Sequence, residues 1–449
     1  MAPAAEAPRP NLIVILTDDQ RYDTLACNGS KVVETPHLDR LAREGARHTR
    51  AYVTTSLCCP ARASLYTGLY ATTTRIRSNE DDVPFLAEHP DLAELLQQSG
   101  YATGFFGKWH IPNPDAGPQP GFDRWVSFEG QGSYVDERYN VDGVRQVIPG
   151  YNTDVLFDLA MDWMSEQGDR PYCVVLSLKN LHRPPVLPER HTNALAGATL
   201  APRPSTNEPL ENLPKTLQRA SQGRRNGDLD EKGSWKSQVR GYHELVLSID
   251  DNVGRLLDRL STEERLEQSA ICMTSDGGFL WGEHRLYRKR AAYEESVHVP
   301  MLWRWPAGIG AGSEPAGLSL NVDILPTLLE IADVEIPSGL HGRSLAPLWS
   351  GDDDGWRPGF TYLDGWGKVL DGPIELAWVE ARFKYVRYRR IELDERLFDL
   401  EVDPDELHDL SRDPSHAARI EAMRGALRED LARIGGDPRW VDELAKNVD

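Results

Sequence analysis

The sequence predicts an α/β protein built on a large, mostly parallel sheet that is flanked by helices. Short apolar runs with β-branched residues, the pattern of strands buried on both faces, lie at residues 11–16, 172–177, 270–274 and 301–305. Between the second and third runs, residues 242–260 repeat apolar side chains three or four positions apart, as in an amphipathic helix. This alternation of strands and helices favours a sheet with helices on both faces. Ligands of such sheets bind where the parallel strands end, so we expect polar chemistry there.

Near residue 350 the alternation of buried strands and long helices gives way to short strand-like runs. This change predicts two domains, residues 1–350 and 351–449. Within the first domain, residues 195–238 are rich in Pro, Asn, Arg and Gly and have weak periodicity, which predicts a loop insertion or lid outside the core. The second domain has short strand-like runs and one helical pattern, at residues 360–363, 375–388, 396–400 and 417–434. We therefore expect it to form a small antiparallel sheet plus a helix.

Composition and charge exclude several classes of protein. Of 449 residues, 70 are acidic and 50 are basic, and the formal net charge of −20 excludes a generally basic nucleic-acid-binding surface. No apolar run approaches the roughly 20 residues that a membrane-spanning helix needs. Residues 1–10 lack the features of a signal peptide, and the five cysteines form no CxxC pair. We expect a cytoplasmic protein without membrane or nucleic-acid partners, and the sequence leaves its oligomeric state open.

Two polar clusters point to chemistry near the first predicted strand. Asp18 and Asp19 directly follow residues 11–16, where their carboxylates could hold a hard divalent cation, although such pairs also occur in solvated turns. Further along, Cys58 and Arg62 are four positions apart, and Pro60 suits the first turn of a helix. The N-terminus of that helix would offer N–H groups and positive potential to an anion.

The residues around this helix carry a family resemblance that spans nearly the whole chain. Cys58-x-Pro60-x-Arg62, followed by a Thr-Gly pair, resembles the signature of the type I sulfatases of the alkaline phosphatase superfamily. Residues 56–60 resemble the glucosamine-6-sulfatase branch in particular. In this family the cysteine is converted after translation to formylglycine. The resemblance therefore implies that formylglycine forms from Cys58 and that a formylglycine-generating maturase is a partner.

Further segments resemble the family in the same order along the chain. Lys108 and His110 lie in a Gly-Lys-Trp-His segment, His182 follows the second apolar run, Asp276 follows the third, and Lys289 comes after it. The resemblance implies a bound cation, Ca²⁺ with Mg²⁺ or Mn²⁺ as alternatives, whose ligands are Asp18, Asp19, Asp276 and the residue formed from Cys58. It also implies six catalytic side chains, namely Cys58, Arg62, Lys108, His110, His182 and Lys289.

The resemblance further implies how these side chains would hydrolyse a small anionic sulfate ester, with a preference for a sulfated sugar. Arg62 and Lys108 would stabilise the hydrated aldehyde, and Lys289 would neutralise the sulfate oxygens. His182 would protonate the departing alcohol. His110 would act as the base that expels sulfate and restores the aldehyde.

Two positions depart from the family pattern and keep other functions open. The usual serine is Ala61, as it also is in phosphonate monoester hydrolases of the same superfamily. Gly277 stands where the family has an amide or imidazole side chain on the cation. We therefore retain two alternatives to sulfate-ester hydrolysis. One is hydrolysis of a phosphonate monoester or phosphodiester at the same site, and the other is an inactive binding protein with a sulfatase fold.

Overall fold

The computed structural model of the chain describes residues 9–81, 89–111, 113, 115–218, 235–366 and 372–445. Its strands are β1 (Asn11–Thr17), β2 (Ala46–Arg47), β3 (Ala51–Tyr52), β4 (Ala102–Gly107), β5 (Arg124–Ser127), β6 (Arg138–Val141), β7 (Val144–Val147), β8 (Tyr172–Ser177), β9 (Ser269–Ser275), β10 (Leu280–Trp281), β11 (Tyr287–Arg288), β12 (Met301–Arg304), β13 (Ser319–Leu320), β14 (Gly359–Asp364), β15 (Glu375–Glu380), β16 (Phe383–Tyr388) and β17 (Asp394–Asp399).

The described α-helices are α1 (Pro36–Glu44), α2 (Cys58–Thr67), α3 (Ala71–Thr74), α4 (Leu92–Gln98), α5 (Asn152–Glu166), α6 (Trp235–Thr262), α7 (Glu294–Val297), α8 (Ile324–Ile331), α9 (Ala346–Trp349) and α10 (Ala417–Arg433). Short 3-10 turns connect several of these elements. In the part of the chain that is described, no helix combines the length and the apolar character that a membrane span requires.

A nine-stranded sheet forms the centre of the molecule, in the order β2-β12-β9-β1-β8-β4-β5-β6-β7. Its middle strands, β9, β1, β8, β4 and β5, run parallel to one another. The strands outside them pair antiparallel with their neighbours. The large, mostly parallel sheet that the apolar runs predict is confirmed.

Strand β1 shows why the predicted strands are apolar throughout. Ile13 and Ile15 pack into one core cluster with α5 and α6, whereas Leu12, Val14 and Leu16 pack into another with α2 and α8. Successive side chains of a strand point to opposite faces, and here helices cover both faces. An uninterrupted apolar run is therefore what this position in the sheet requires.

The small C-terminal sheet consists of β14, β15, β16 and β17, each antiparallel to the next. The run predicted at residues 375–388 is a hairpin of two strands, because residues 381 and 382 turn the chain between them. Met423, Leu427 and Leu431 of α10 are almost fully buried in the same core cluster as this sheet. The predicted antiparallel sheet plus helix is confirmed.

The segment predicted to be an insertion, residues 195–238, is partly in the core. Leu213 and Leu217 are only 1% and 5% exposed and belong to the core cluster of the small sheet. Residues 235–238 begin α6 instead of ending a loop, and residues 219–234 lie outside the described range. Short 3-10 turns, such as Pro204–Asn207, give this part of the chain its weak periodicity. Leu213 precedes residue 350 and yet shares a core with the small sheet. The domain boundary near residue 350 therefore stays a prediction.

Candidate active site

Three carboxylates meet at the carboxyl edge of the large sheet. Asp18 and Asp19 follow β1, and Asp276 follows the parallel neighbour β9, in which Ser275 pairs with Thr17. The N–H of Asp19 donates to Oδ1 of Asp276 over 3.1 Å. All three aspartates are at most 1% exposed. Buried charges of one sign at this density require partners of the opposite sign.

Cys58 begins helix α2 beside these carboxylates. Pro60 occupies the first turn of that helix, as the sequence predicts. The Cys58 thiol donates to Oδ1 of Asp18, with 3.6 Å between sulfur and oxygen. The sulfur and one oxygen from each of Asp18, Asp19 and Asp276 all lie within 4.8 Å of one another. The predicted cysteine and the predicted cation ligands therefore form one buried group.

Each carboxylate of this group pairs with one basic side chain. The pairs are Asp18 with Lys108, Asp19 with Lys289, and Asp276 with Arg62. Lys108 follows β4, and Lys289 follows β11. The Nζ atom of Lys289 also lies 2.8 Å from Sγ of Cys58. Three basic and three acidic side chains therefore surround position 58.

Arg62 connects helix α2 to two strand ends. Its Nη1 donates to the carbonyl oxygen of Lys108 over 2.7 Å and to Oγ of Ser177, the last residue of β8, over 2.5 Å. Its Nη2 is buried, and no group among the described residues accepts from it. The bonds of Nε and Nη1 fix the guanidinium group between Asp276 and the ends of β4 and β8.

Burial and charge set the protonation states of this group. Burial raises the pKa of the Cys58 thiol against the opposing effect of Lys108 and Lys289, so the thiol stays protonated. Burial would also raise the pKa of Asp18, but Lys108 and the other cations hold it well below its ordinary value. Burial raises the pKa of Asp19 to about 7. Because the thiolate is the reactive form of cysteine, unmodified Cys58 is a poor nucleophile here.

The two predicted histidines are neutral. Nδ1 of His182 donates to the carbonyl oxygen of Arg183 over 2.8 Å, and Nε2 lies 3.9 Å from Oδ2 of Asp19. Burial lowers the pKa of His182 to about 3, which leaves the lone pair on Nε2 at pH 7. Burial, together with Lys108 and other cations, lowers the pKa of His110. Both imidazole rings are therefore uncharged at neutral pH.

Gln131 is the main residue of the site that the sequence did not reveal. Its side-chain oxygen accepts from Lys108 over 2.6 Å, so its amide nitrogen faces Nε2 of His110 at 3.3 Å. An amide nitrogen only donates, and the neutral His110 ring therefore carries its proton on Nδ1. Lys179 in turn donates to the carbonyl oxygen of Gln131 over 2.8 Å. Neither Gln131 nor Lys179 lies in a motif, so only the folded structure reveals this contact.

The donor set suits a hard divalent cation. Carboxylate oxygens are the ligands that Ca²⁺ and Mg²⁺ prefer, and the residues that could hold the ion are Asp18, Asp19 and Asp276. The ammonium groups of Lys108 and Lys289 lie against two of these carboxylates, so the cluster attracts positive charge. Gly277 contributes no side-chain ligand. A Cβ atom at Gly277 would contact only Ser56, at 3.5 Å from its Oγ.

The structure brings all nine predicted site residues to one edge of the large sheet. Three carboxylates lie at the centre of the site. Around them lie a protonated thiol, two neutral imidazole rings and three basic side chains. Preorganised positive groups around the position of a nucleophile stabilise negative charge as it develops in a reaction. The fold and the site thus define a hydrolase that acts on an anionic ester at a tetrahedral centre.

Comparisons with known proteins identify the family. The sulfatase family profile matches residues 10–334, and the profile for the C-terminal region of N-sulphoglucosamine sulphohydrolase matches residues 282–433. The chain therefore belongs to the sulfatase family, within the alkaline phosphatase superfamily. The predicted activity class, hydrolysis of a sulfate ester, is confirmed.

Individual relatives cover nearly the whole chain. An N-acetylglucosamine-6-O-sulfatase of Bacteroides thetaiotaomicron is 30% identical over 492 residues, covering 94% of this chain and 86% of the relative. A solved structure of a protein in complex with its substrate D-glucosamine-2-N,6-O-disulfate has a TM-score of 0.83 and 28% identity, covering 95% of this chain and 98% of that one. The phosphonate monoester hydrolase of Agrobacterium radiobacter has a TM-score of 0.79 at 24% identity, covering 95% and 96% of the two chains, and shares the fold.

Proposed function

We propose that the protein hydrolyses a sulfate ester on a sugar, with formylglycine formed from Cys58 and a divalent cation held by the carboxylates beside it. The observation that carries this proposal is the convergence of Cys58 with three carboxylates and three cations in one buried group. The sugar is supported by the N-acetylglucosamine-6-O-sulfatase relative and by the similar structure whose substrate is a disulfated glucosamine.

The protonated state of Cys58 supports its conversion before catalysis. A buried thiol with a raised pKa does not attack sulfur readily. Hydrated formylglycine would supply the hydroxyl group that serves as the nucleophile, and a divalent cation would favour the ionised form of that hydroxyl. Asp18, Asp19 and Asp276 would hold the cation, and a formylglycine-generating maturase would carry out the conversion.

The buried cations would bind and polarise the sulfate group. Lys289 lies 2.8 Å from the sulfur of Cys58, so an ester attacked from position 58 would place sulfate oxygens beside its ammonium group. Although burial opposes its charge, Asp19 and its neighbours keep the pKa of Lys289 well above its ordinary value. Lys108 is held in place by Asp18 and Gln131 on the other side of the same group. Such fixed charges need no reorganisation when negative charge develops.

The two neutral histidines would handle the protons. His182 has its lone pair on Nε2, and the negative charge of a bound ester would raise the pKa of the ring and bring a proton to that atom. His182 could then donate this proton to the departing alcohol. His110 is neutral, and its lone pair on Nε2, which accepts from Gln131 here, would act as the base in the second half of the reaction once Gln131 releases it.

Coexpression with a formylglycine-generating maturase tests the proposal directly. Mass analysis of the peptide that contains Cys58 should show conversion to the aldehyde. The converted protein should hydrolyse an aryl sulfate and glucosamine 6-sulfate, whereas protein produced without the maturase should be inactive. Cys59→Ala is the matched control, because Cys59 lies next to Cys58 in the same helix.

A third substrate, an aryl phosphonate monoester, distinguishes the alternatives. Faster turnover of the phosphonate than of both sulfates would show that the protein is a phosphonate monoester hydrolase instead. Full activity with an unconverted cysteine would contradict the formylglycine mechanism. Conversion without turnover of any of the three substrates would favour an inactive binding protein.

A further inference from the structure

The segment that carries Lys289 has a backbone conformation that its own sequence does not favour. Arg288 and Arg290, on either side of Lys289, have φ angles of 88° and 76°. These values lie in the left-handed region, which residues other than glycine adopt uncommonly. Such a conformation persists only where surrounding contacts determine it. The contacts that hold this segment are therefore part of what places the Lys289 side chain.

The small C-terminal sheet provides two of these contacts at a single residue. Nζ of Lys384, in β16, donates to the carbonyl oxygen of Ala292 over 2.7 Å. Oε1 of Glu375, at the start of β15, accepts from the N–H of the same residue over 2.5 Å. Lys384 is fully buried, and Glu375 is 3% exposed. Both backbone polar groups of Ala292 are thus held by side chains from neighbouring strands.

Two more contacts hold the residues around Ala292. Oε2 of Glu406 accepts from the N–H of Glu294 over 2.8 Å, and Oδ1 of Asp364 accepts from Nε of Arg290 over 3.1 Å. Nζ of Lys384 also lies 2.9 Å from Oε1 of Glu406, which connects these contacts. Four side chains thus converge on residues 290–294. They are Asp364 at the end of β14, Glu375 of β15, Lys384 of β16 and Glu406 after β17.

A purely structural interface would not require these buried ionisable groups. Burying an ammonium group and carboxyl groups is costly, and well-packed apolar side chains would stabilise the same interface at least as well. Directed hydrogen bonds do, however, fix the position of a backbone segment. Since Ala292 is three residues from Lys289, and Lys289 lies 2.8 Å from Sγ of Cys58, a small displacement of the segment would move the ammonium group away from position 58.

We propose that the small C-terminal domain is a positioning part of the active site, in which Glu375, Lys384 and Glu406 clamp residues 290–294 and so hold Lys289 beside position 58. This inference rests on the role proposed above for Lys289. None of the three clamp residues touches the reacting group. Their substitution should change the placement of Lys289 and leave the other groups at the sheet edge in place.

Paired substitutions at Glu375 provide the first test. Burial raises the pKa of Glu375 to about 8, so the side chain is uncharged at pH 7 and glutamine is a close substitute. Glu375→Gln keeps an acceptor for the Ala292 N–H and should retain kcat/KM for a sulfate ester within about twofold. Glu375→Leu removes that acceptor and should lower kcat/KM at least about tenfold.

A second pair compares two basic residues of β16. Lys384→Met removes the donor to Ala292 and should lower kcat/KM at least about tenfold. Arg387→Met is the matched control, because Arg387 lies on the same strand and binds the carbonyl oxygen of Val441 and the carboxylate of Glu395. Hydrogen exchange of the peptide at residues 288–296 should accelerate in Glu375→Leu and Lys384→Met and stay unchanged in Arg387→Met.

The outcomes separate this inference from the function on which it rests. Unchanged exchange at residues 288–296, or faster exchange with full activity, would overturn the positioning role. Equal losses in Glu375→Gln and Glu375→Leu would overturn the acceptor role of Glu375, and this pair decides the matter if Lys384→Met does not fold. Full activity of Lys289→Ala, by contrast, would show that the role of Lys289 is wrong, whatever the exchange of the segment.

Discussion

The carboxyl edge of the large sheet and the small C-terminal sheet both bury charged side chains, but they use them differently. At the edge, side chains pair with side chains, as Asp18 does with Lys108. In the small sheet, Lys384 and Glu375 also bind the backbone of Ala292, which lies in the segment after β11. The first arrangement creates a field around one position, whereas the second fixes a segment. We infer that the reacting groups lie at the edge and that the small sheet fixes the position of the segment that carries one of them, Lys289.

Removing the proposed reacting group while leaving the clamp intact should have the largest effect. Cys58→Ala should lower kcat by at least about a thousandfold, because no nucleophile can form at that position. The free energy of unfolding should change by no more than about 1–2 kcal/mol, since only one small buried group is lost. Turnover of an aryl sulfate and urea unfolding measure the two quantities.

Cys59→Ala is the control for this variant. Its thiol donates to the backbone carbonyl oxygen of His110 and not to the imidazole ring, so its removal should disturb the site only mildly. Near-normal activity of Cys58→Ala would refute the formylglycine mechanism. Equal losses of activity in the two variants would mean that the motif is structural.

His110→Ala should have the next largest effect, because it removes a reacting group that acts only late in the cycle. The first transfer should proceed and release one equivalent of alcohol per enzyme, and release of sulfate should then stall. The steady-state kcat should fall by about 10²–10⁴-fold, the range for loss of a general base. Rapid-quench measurement of the alcohol is the assay. Loss of the alcohol burst would assign His110 to the first transfer instead.

The same comparison explains how much of the site the sequence could predict. Asp18 and Asp276 follow apolar strands, and parallel strands end at the same edge of a sheet, so local patterns predict that they meet. Gln131 lies in a loop without a motif, and its contact with Lys108 depends on the folded loop. Lys384 lies 92 residues from Ala292 in the sequence. No periodicity of one strand can predict a contact over that distance.

The secondary structure and the core could likewise be predicted from the sequence only where the apolar pattern is periodic. The four apolar runs predict the bounds of β1, β8, β9 and β12 to within one residue, because their apolar pattern follows directly from their burial. The helix predicted at residues 242–260 is longer and spans Trp235–Thr262. For Leu213 and Leu217, by contrast, the sequence pattern predicts a loop outside the core, although both side chains are buried. They enter the core from short turns, which have no period that a sequence pattern could reveal.

The pH dependence of stability should distinguish the small sheet from the edge. Burial raises the pKa of Glu375 from 4.5 to about 8, so between these values the folded protein binds more protons than the unfolded chain. Its contribution to stability is complete below pH 4.5 and is lost as the pH rises through 8. For His182, burial lowers the pKa from 6.5 to about 3, so its contribution is present above pH 6.5 and is lost as the pH falls through 3.

Glu375→Gln should therefore flatten the stability profile on the alkaline side only. Relative to the unsubstituted protein, the variant should gain roughly 2–3 kcal/mol between pH 6 and pH 9, because glutamine does not ionise. Urea unfolding at pH 6, 7.5 and 9 measures this difference. Parallel loss of stability in both proteins would show that Glu375 is already ionised in the folded state at neutral pH.

The smallest expected effect concerns Gly277, at the edge itself. If the cation lies among Asp18, Asp19 and Asp276, the absence of a side-chain ligand at Gly277 leaves a coordination position that water can fill. Two neighbouring glycines differ here in the space around them. A Cβ atom at Gly278 would lie 2.1 Å from the carbonyl oxygen of Glu295. A Cβ atom at Gly277 would contact only Ser56, at ordinary van der Waals distances, and the φ angle of Gly277 lies outside the left-handed region.

Gly277→Asn should therefore fold normally and tighten Ca²⁺ binding by about threefold to tenfold, which corresponds to roughly 1 kcal/mol. Its activity on a sulfate ester should be equal or higher, because the added amide completes the ligand set without touching the cations around position 58. Gly278→Ala, the matched control, should instead destabilise the fold, since its backbone neighbour cannot move away cheaply. Calorimetric titration with Ca²⁺ and Mg²⁺ decides the question. Weaker binding in a folded Gly277→Asn variant would show that another group already occupies the position, and binding by neither protein would favour the inactive alternative.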